Sequence, residues 1–226
     1  MQPAIDHIVW FLQRKYNTKR PVVYNTYQAY LKDCTDRLEL ALSKADKHGY
    51  KFGCKLVRGA YQVQERLRAA EMGYIDPVQP NLQATHDSYN ASVGRIMDSI
   101  AGGSGAELMI ASHNEDSILK AAALMHQKGI APEDRSVFFG QLLGMCDHAS
   151  LTLGNAGYAV YKYVPYGPVG DVIPYLVRRA QENGDLMAGS YRERELMKQA
   201  MLSRTVMSGW AFPAMYTVAA ALAVAL

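Results

Sequence analysis

A chain of 226 residues, 49% hydrophobic and 20% charged, has enough apolar content to bury one sizeable core, which excludes an unfolded tail. Its net charge of +3 is scattered along the chain, which excludes the dense basic footprint of a nucleic-acid binder. Three cysteines (Cys34, Cys54, Cys146) neither pair evenly nor stand at metal-ligand spacing, so a reduced compartment, cytosolic or mitochondrial, and no metal site are expected.

The first residues, QPAIDHIVWFLQRKYN, set Ile5, Ile8, Val9 and Leu12 at helical spacing, with no signal or transit peptide before them. Five short β-rich runs follow: PVVYNTY, FGCKLVRGAY, AELMIASH, SVFFGQLLGM and YAVYKYVPYG. Between them the spacing predicts helices over roughly 28–48, 62–101 (broken at Asp76-Pro77 and Gln79-Pro80), 115–128, 146–154 and 169–184, and a last one near 188–203. Strands alternating with helices, each strand apolar almost throughout, predict a parallel sheet buried by helices. We draw one α/β domain over 1–204 and an apolar tail over 205–226. That tail carries no charged residue and is long enough to cross a bilayer, but Gly209 and Pro213 interrupt it, so a packed terminal segment is the favoured expectation.

Polar residues gather where the apolar runs end: Asn25 and Gln28, then Lys55, Arg58 and Tyr61, then His113 and Asn114, then Gln141, then Tyr163 and Tyr166. Both a (β/α) barrel and a doubly wound sheet place ligands at that end of their strands, so this pattern leaves the two open. The segment GDVIPYLVRRAQENG suggests a helix capped by Asp171, with Pro174 in its first turn and Asn183-Gly184 as its stop. Tyr175 precedes Arg178 and Arg179 by three and four residues, and Glu182 follows by as many. The four therefore share a face, either as a solvated ion pair or as a fork for a carboxylate or phosphate. In CKLVRGAY, the charges of Lys55 and Arg58 need partners inside a sheet, and Gly59 would let backbone approach a ligand. In ASHNED, Ser112 or Asn114 suits a helix cap, while His113 suits a cofactor contact better than a metal. No nucleophile elbow, P-loop or paired acid carboxylates occur, and arginines with aromatics point to redox work carried by a cofactor.

Taken together, YNTYQAYLKD, KLVRGAY, ASHNED, FGQLLGM, VYKYVPYGP and YLVRRAQEN resemble, in order and spacing, the signature segments of the proline dehydrogenases over about residues 3–200. The resemblance implies an FAD-dependent (β/α)8-type barrel that oxidises L-proline to Δ1-pyrroline-5-carboxylate. It also implies electron transfer to a quinone and, in eukaryotes, a place on the matrix side of the mitochondrial inner membrane. It assigns Arg178 and Arg179 to the proline carboxylate and Tyr163, Tyr175, Tyr61 and Leu142 to its ring. FAD contacts fall on Gln28, Lys55, Val57, Arg58, Gly59, His113, Asn114, Gln141, Arg179 and Glu182. Lys55 stands where some bacterial members carry an arginine, keeping the charge and losing the fork.

Members of the family carry about three more strands upstream, with a lysine for the carboxylate and an aspartate supporting the tyrosine matched by Tyr163. Five β/α units do not close a barrel of ~250 residues, so the expectation is a truncated or partner-completed chain that binds FAD poorly. Two alternatives accompany the main reading. One is hydroxyproline dehydrogenase, where the position of Tyr163 tends to be smaller and polar. The other is an inactive interaction protein that uses the partial barrel or the apolar tail.

Overall fold

The computed structural model describes residues 2–182 and, beyond them, residues 194, 195, 198 and 199. The apolar tail and most of the helix expected near 188–203 lie outside the described residues. So does the side chain of Glu182.

The first helix, α1 (Gln2–Tyr16), leads to β1 (Asn25–Gln28), α2 (Cys34–His48), β2 (Gly53–Val57), α3 (Gln62–Met72) and α4 (Leu82–Ala101). Then come β3 (Glu107–Ala111), α5 (Glu115–Gln127), a 3-10 turn (Pro132–Asp134), β4 (Val137–Leu142), α6 (Asp147–Asn155), β5 (Ala159–Tyr163) and α7 (Val169–Glu182). All strand pairs are parallel and the sheet order is β1-β2-β3-β4-β5. This unbroken order decides a question that the sequence left open. A doubly wound sheet reverses its strand order at a switch point, whereas a barrel winds in one direction.

The side-chain rows follow from the register. Tyr27, Cys54, Leu56, Leu108, Ile110, Val137 and Phe139 point to the helices and are buried with Leu38, Tyr89, Ile96, Met97, Ile118 and Met125 in one core. Each such core aliphatic replaced by alanine costs about 2–5 kcal/mol. The alternate residues form an open face. One row runs Thr26, Lys55, Met109, Phe138, Ala159; further along lie Gln28 beside Val57 and Leu142 beside Tyr163.

Two buried amides fasten α1 to the sheet. Gln13 Nε2 donates to the carbonyls of Val23 and Gly53, at 3.1 and 2.6 Å. Asn17, fully buried, donates to Val23 O (2.8 Å) and accepts from the N–H groups of Val22 and Val23. These bonds divert residues 21–24 from the sheet, which is why β1 starts at Asn25 rather than at Pro21. The helix expected from residue 28 starts only at Cys34 for a related reason. Residues 29–32 bond to Val57 O, Arg58 O and Pro77 O, and Leu31 bridges Val78 antiparallel. The break at Pro77 and Pro80 thus supplies a short segment that lies against the end of β1. Helix α7 starts at Val169, as the spacing predicts, but its cap differs, because Pro168 O already accepts from the N–H groups of Asp171 and Val172. Asp171 sits in its first turn rather than at its cap, and Pro174 lies inside the helix.

Where α1 meets β1 and α2, Asp6 accepts from Arg37 Nε (2.7 Å) and Asn25 Nδ2 (2.9 Å). Burial is the largest single influence on this carboxyl and acts to raise its pKa. The bonds from Arg37, Asn25 and Gln2, with the arginine's charge, outweigh it and hold the group below its ordinary 3.8. A carboxylate depressed in the native state stabilises fully above the unfolded value, and that contribution is lost as pH falls through the lowered native value. Urea unfolding at stepped pH should show wild type losing roughly 1 kcal/mol over Asp6→Asn in that acid window. Parallel acid limbs for the two proteins would refute the pair's contribution.

Candidate functional site

Helix α7 brings Tyr175 beside Tyr163, the last residue of β5. The Tyr163 and Tyr175 rings lie 6.0 Å apart, tilted by 55°. The Arg179 guanidinium stacks over Tyr175 at 5.3 Å. Tyr175 is pushed above its ordinary phenol value by burial first and then by the nearby Tyr163. From the sheet, Lys55 rises toward Arg179. Burial, and then the arginine's charge, pull its pKa below the usual lysine value.

The two arginines separate. Arg179 is half-buried against Tyr175, whereas Arg178 is exposed. Adjacent residues on a helix point about 100° apart, which accounts for their different exposure. Lys55 and Arg179 are like charges within range of one another, and Lys55 makes no hydrogen bond or ion pair among the described residues. Like charges in range of one another disfavour the ligand-free state, and an anionic group arriving beside Lys55 relieves that cost. Replacing Lys55 with methionine should therefore raise the stability of the ligand-free chain by roughly 1 kcal/mol, read as a higher urea midpoint. A lower midpoint would show that Lys55 is compensated.

The remaining expected contacts divide by face. Gln28, Val57 and Leu142 stand on the open face with Lys55, and Gln28 Nε2 donates to Gln2 Oε1 at 3.3 Å. Leu142 is held by two neighbours. Its N–H donates to His113 Nε2 at 3.0 Å, and the loop after it is tied by Lys162, which donates to Met145 O (2.7 Å) and pairs with Asp147 (2.6 Å). An imidazole that accepts at Nε2 carries its proton on Nδ1 when neutral. Burial, and secondarily the charge of Lys162, keep it neutral by lowering its pKa.

Gln141 faces the helices instead. Its amide donates to Ser112 O at 3.3 Å and its Oε1 accepts from the Ser150 hydroxyl at 3.0 Å. Asn114 caps α5, accepting from Ser117 N–H at 2.9 Å. Arg58 is likewise turned toward α4 and α5, donating to His86, Ser112 and Ser117. Gly59 adopts φ +99°, and a Cβ there would lie 2.0 Å from the Tyr30 ring. Its first demand is therefore Tyr30, not ligand approach. Sequence reasoning overlooked His86, Tyr89, Ser112 as an arginine partner, and Lys162. The i, i+3, i+4 spacing of His86, Tyr89 and Asn90 was the one available signal, a polar stripe on an otherwise core-facing helix.

The donor set fits a flavin with a small carboxylate beside it. Arg179 stacks on the Tyr175 ring beside Tyr163 at the end of β5, and Lys55 stands on the open face of the sheet. Lys55, Val57 and Gln28 would hold the cofactor from the sheet, with Arg58 and His113 at its margin.

The comparisons agree with this architecture. A solved structure of proline utilization A (PutA) from Bdellovibrio bacteriovorus, inactivated by N-propargylglycine, aligns at TM-score 0.71 and 25% identity, covering 78% of this chain and 18% of that one. The human protein named proline dehydrogenase 1, mitochondrial, is 50% identical over 203 residues, which are 90% of this chain and 34% of that protein. Hydroxyproline dehydrogenase of Xenopus laevis is 47% identical over 205 residues, 44% of its length. This chain thus spans between a third and a half of the curated relatives it matches. The family model described as Proline dehydrogenase matches residues 1–190, and the chain, with its singly wound β/α units of a (β/α)8-type barrel, belongs to that family.

Proposed function

We propose that this chain carries the substrate-gripping half of a flavin-dependent oxidation of L-proline to Δ1-pyrroline-5-carboxylate. The observation that carries the reading is the Arg179 guanidinium stacked on the Tyr175 ring, itself 6.0 Å from the Tyr163 ring at the C-terminal end of a parallel strand. FAD, when bound, supplies the acceptor for a hydride from the carbon next to the imino nitrogen. The residues here do the rest. Arg179 binds the carboxylate through its planar fork, and Arg178, at the rim, adds long-range attraction. Tyr163 and Tyr175 wall the ring and exclude water, which favours the uncharged amine that the transfer needs. Holding the ring in one pose converts a random encounter into an oriented one.

Relatives from Homo sapiens, Bos taurus and Caenorhabditis elegans are named mitochondrial, which supports a mitochondrial setting for this chain. A quinone acceptor and attachment to the inner membrane on its matrix side belong to the same proposal. Among the described residues no helix is long and apolar enough to cross a membrane.

The test is direct. Mixing the chain with FAD and then L-proline without oxygen should bleach the visible flavin absorbance. A flavin-bound chain whose absorbance persists with proline would sink the reading.

Hydroxyproline dehydrogenases among the relatives make a second substrate worth separating. The phenol of Tyr163 fills the wall opposite Tyr175, so L-proline should be turned over faster than 4-hydroxyproline. Tyr163→Ser should narrow or reverse that ratio, as measured by kcat/KM on both substrates. A ratio that does not move would remove Tyr163 from the specificity argument.

A further inference from the structure

Arg58 follows β2 and reaches into the helix layer, where its guanidinium meets four side chains. Nε–H donates to His86 Nδ1 at 2.8 Å, Nη1 to Ser112 Oγ at 2.7 Å, and Nη2 to Ser117 Oγ at 2.7 Å. The Tyr89 ring lies beneath it, 4.3 Å from the guanidinium carbon to the ring centroid. The serines are fixed in turn. Ser112 Oγ accepts from Asn114 N–H at 3.2 Å, and Ser117 Oγ donates to Asn90 Oδ1 at 2.8 Å. Every hydrogen-bond acceptor around this arginine is neutral, and it has no ion pair among the described residues. The neighbours therefore fix the group without cancelling its charge. Of the five N–H groups a guanidinium offers, three are engaged, which leaves two for a ligand.

His86 is the partner that makes this conditional. Only an imidazole with a free lone pair on Nδ1 accepts the Nε–H, so the ring must be uncharged with its proton on Nε2. We infer that His86 is a positioning residue: its neutral imidazole sets the rotation of the Arg58 guanidinium, so that the arginine presents an uncompensated charge and two N–H groups to an anionic group of the bound cofactor. Asparagine reproduces an acceptor where Nδ1 stands and does not titrate. Leucine fills the space and accepts nothing.

The inference rests on the flavin reading for its ligand, and two readouts on the full chain separate the two. In the 15N-labelled, ligand-free protein the Arg58 Nε–H should exchange slowly with solvent. His86→Leu should speed that exchange at least about tenfold, the loss of one buried hydrogen bond, and His86→Asn should keep it within about twofold. In FAD titrations followed by flavin fluorescence, His86→Leu should weaken the Kd by a similar factor and His86→Asn should restore it. Should His86→Leu fail to fold, His86→Gln, whose amide reaches past the Nδ1 position, replaces it. Unchanged Nε–H exchange on losing the acceptor, or an asparagine variant as impaired as the leucine one, overturns the positioning role. A wild-type chain that takes up no FAD ends the flavin reading, while the exchange measurement still decides whether His86 holds Arg58.

Discussion

Arg179→Met should raise the KM for L-proline by roughly 100-fold or more, the size expected when one partner of a charge-assisted, bidentate pair is truncated. The argument is the placement of Arg179 rather than its charge alone. The guanidinium is half-buried and stacks on Tyr175, and its charge adds to burial, the larger cause, in lowering the pKa of Lys55. A carboxylate entering between them relieves a repulsion as well as forming new bonds. Arg178→Met, on the exposed side of the same helix, should change KM by less than about tenfold, since a solvated charge pair is weak and screened. Steady-state kinetics on both variants check the pair. Equal effects would mean that α7 turns on its axis when substrate binds, bringing both arginines in.

Gly59→Ala should cost the fold about 3 kcal/mol or more, measured as a drop in the urea midpoint. Two independent penalties add. A φ of +99° is strained for any residue with a Cβ, at about 1–3 kcal/mol. The new Cβ would also fall 2.0 and 2.2 Å from two atoms of the Tyr30 ring, which is itself buried with Leu31 and Val78. Overpacking of that kind adds about 1–3 kcal/mol. Because the clash is with one ring, Tyr30→Leu in the same chain should recover part of the loss, a non-additive cycle that an unrelated strain would not show. Flavin binding should suffer with it, since Gly59 lies between Arg58 and Tyr61.

Much of the architecture is legible in the residue pattern. Apolar runs such as ELMIA and VFFGQL, parted by helix-length amphipathic stretches, leave a helix-covered parallel sheet as the economical solution. The winding direction is not legible, because barrels and doubly wound sheets share those local signals. The order of five strands settles it. The site is legible in part. Tyr163, Tyr175 and Arg179 stand together at the end of β5, but period alone does not say which of two adjacent arginines is the half-buried one. Gln141 shows the limit most clearly. It stands next to Leu142 in sequence yet points through the sheet, and a shift of one residue in register reverses the face. The Arg58 partners come from α4, β3 and α5, so no spacing within one segment reveals them.

The strand order also bears on how the molecule is made. Within the sheet, each strand from β2 onward pairs with the one synthesised just before it, and none waits for a partner still to come. The loop closed at each addition is one crossover, the longest being the two-helix connection from β2 to β3, so the entropic cost grows in small steps rather than in one large one. Assembly can therefore keep pace with translation, one β/α unit at a time. Arg179, to which the proposed function gives the carboxylate, sits on α7 after β5, so it joins the site only after the platform of strands exists.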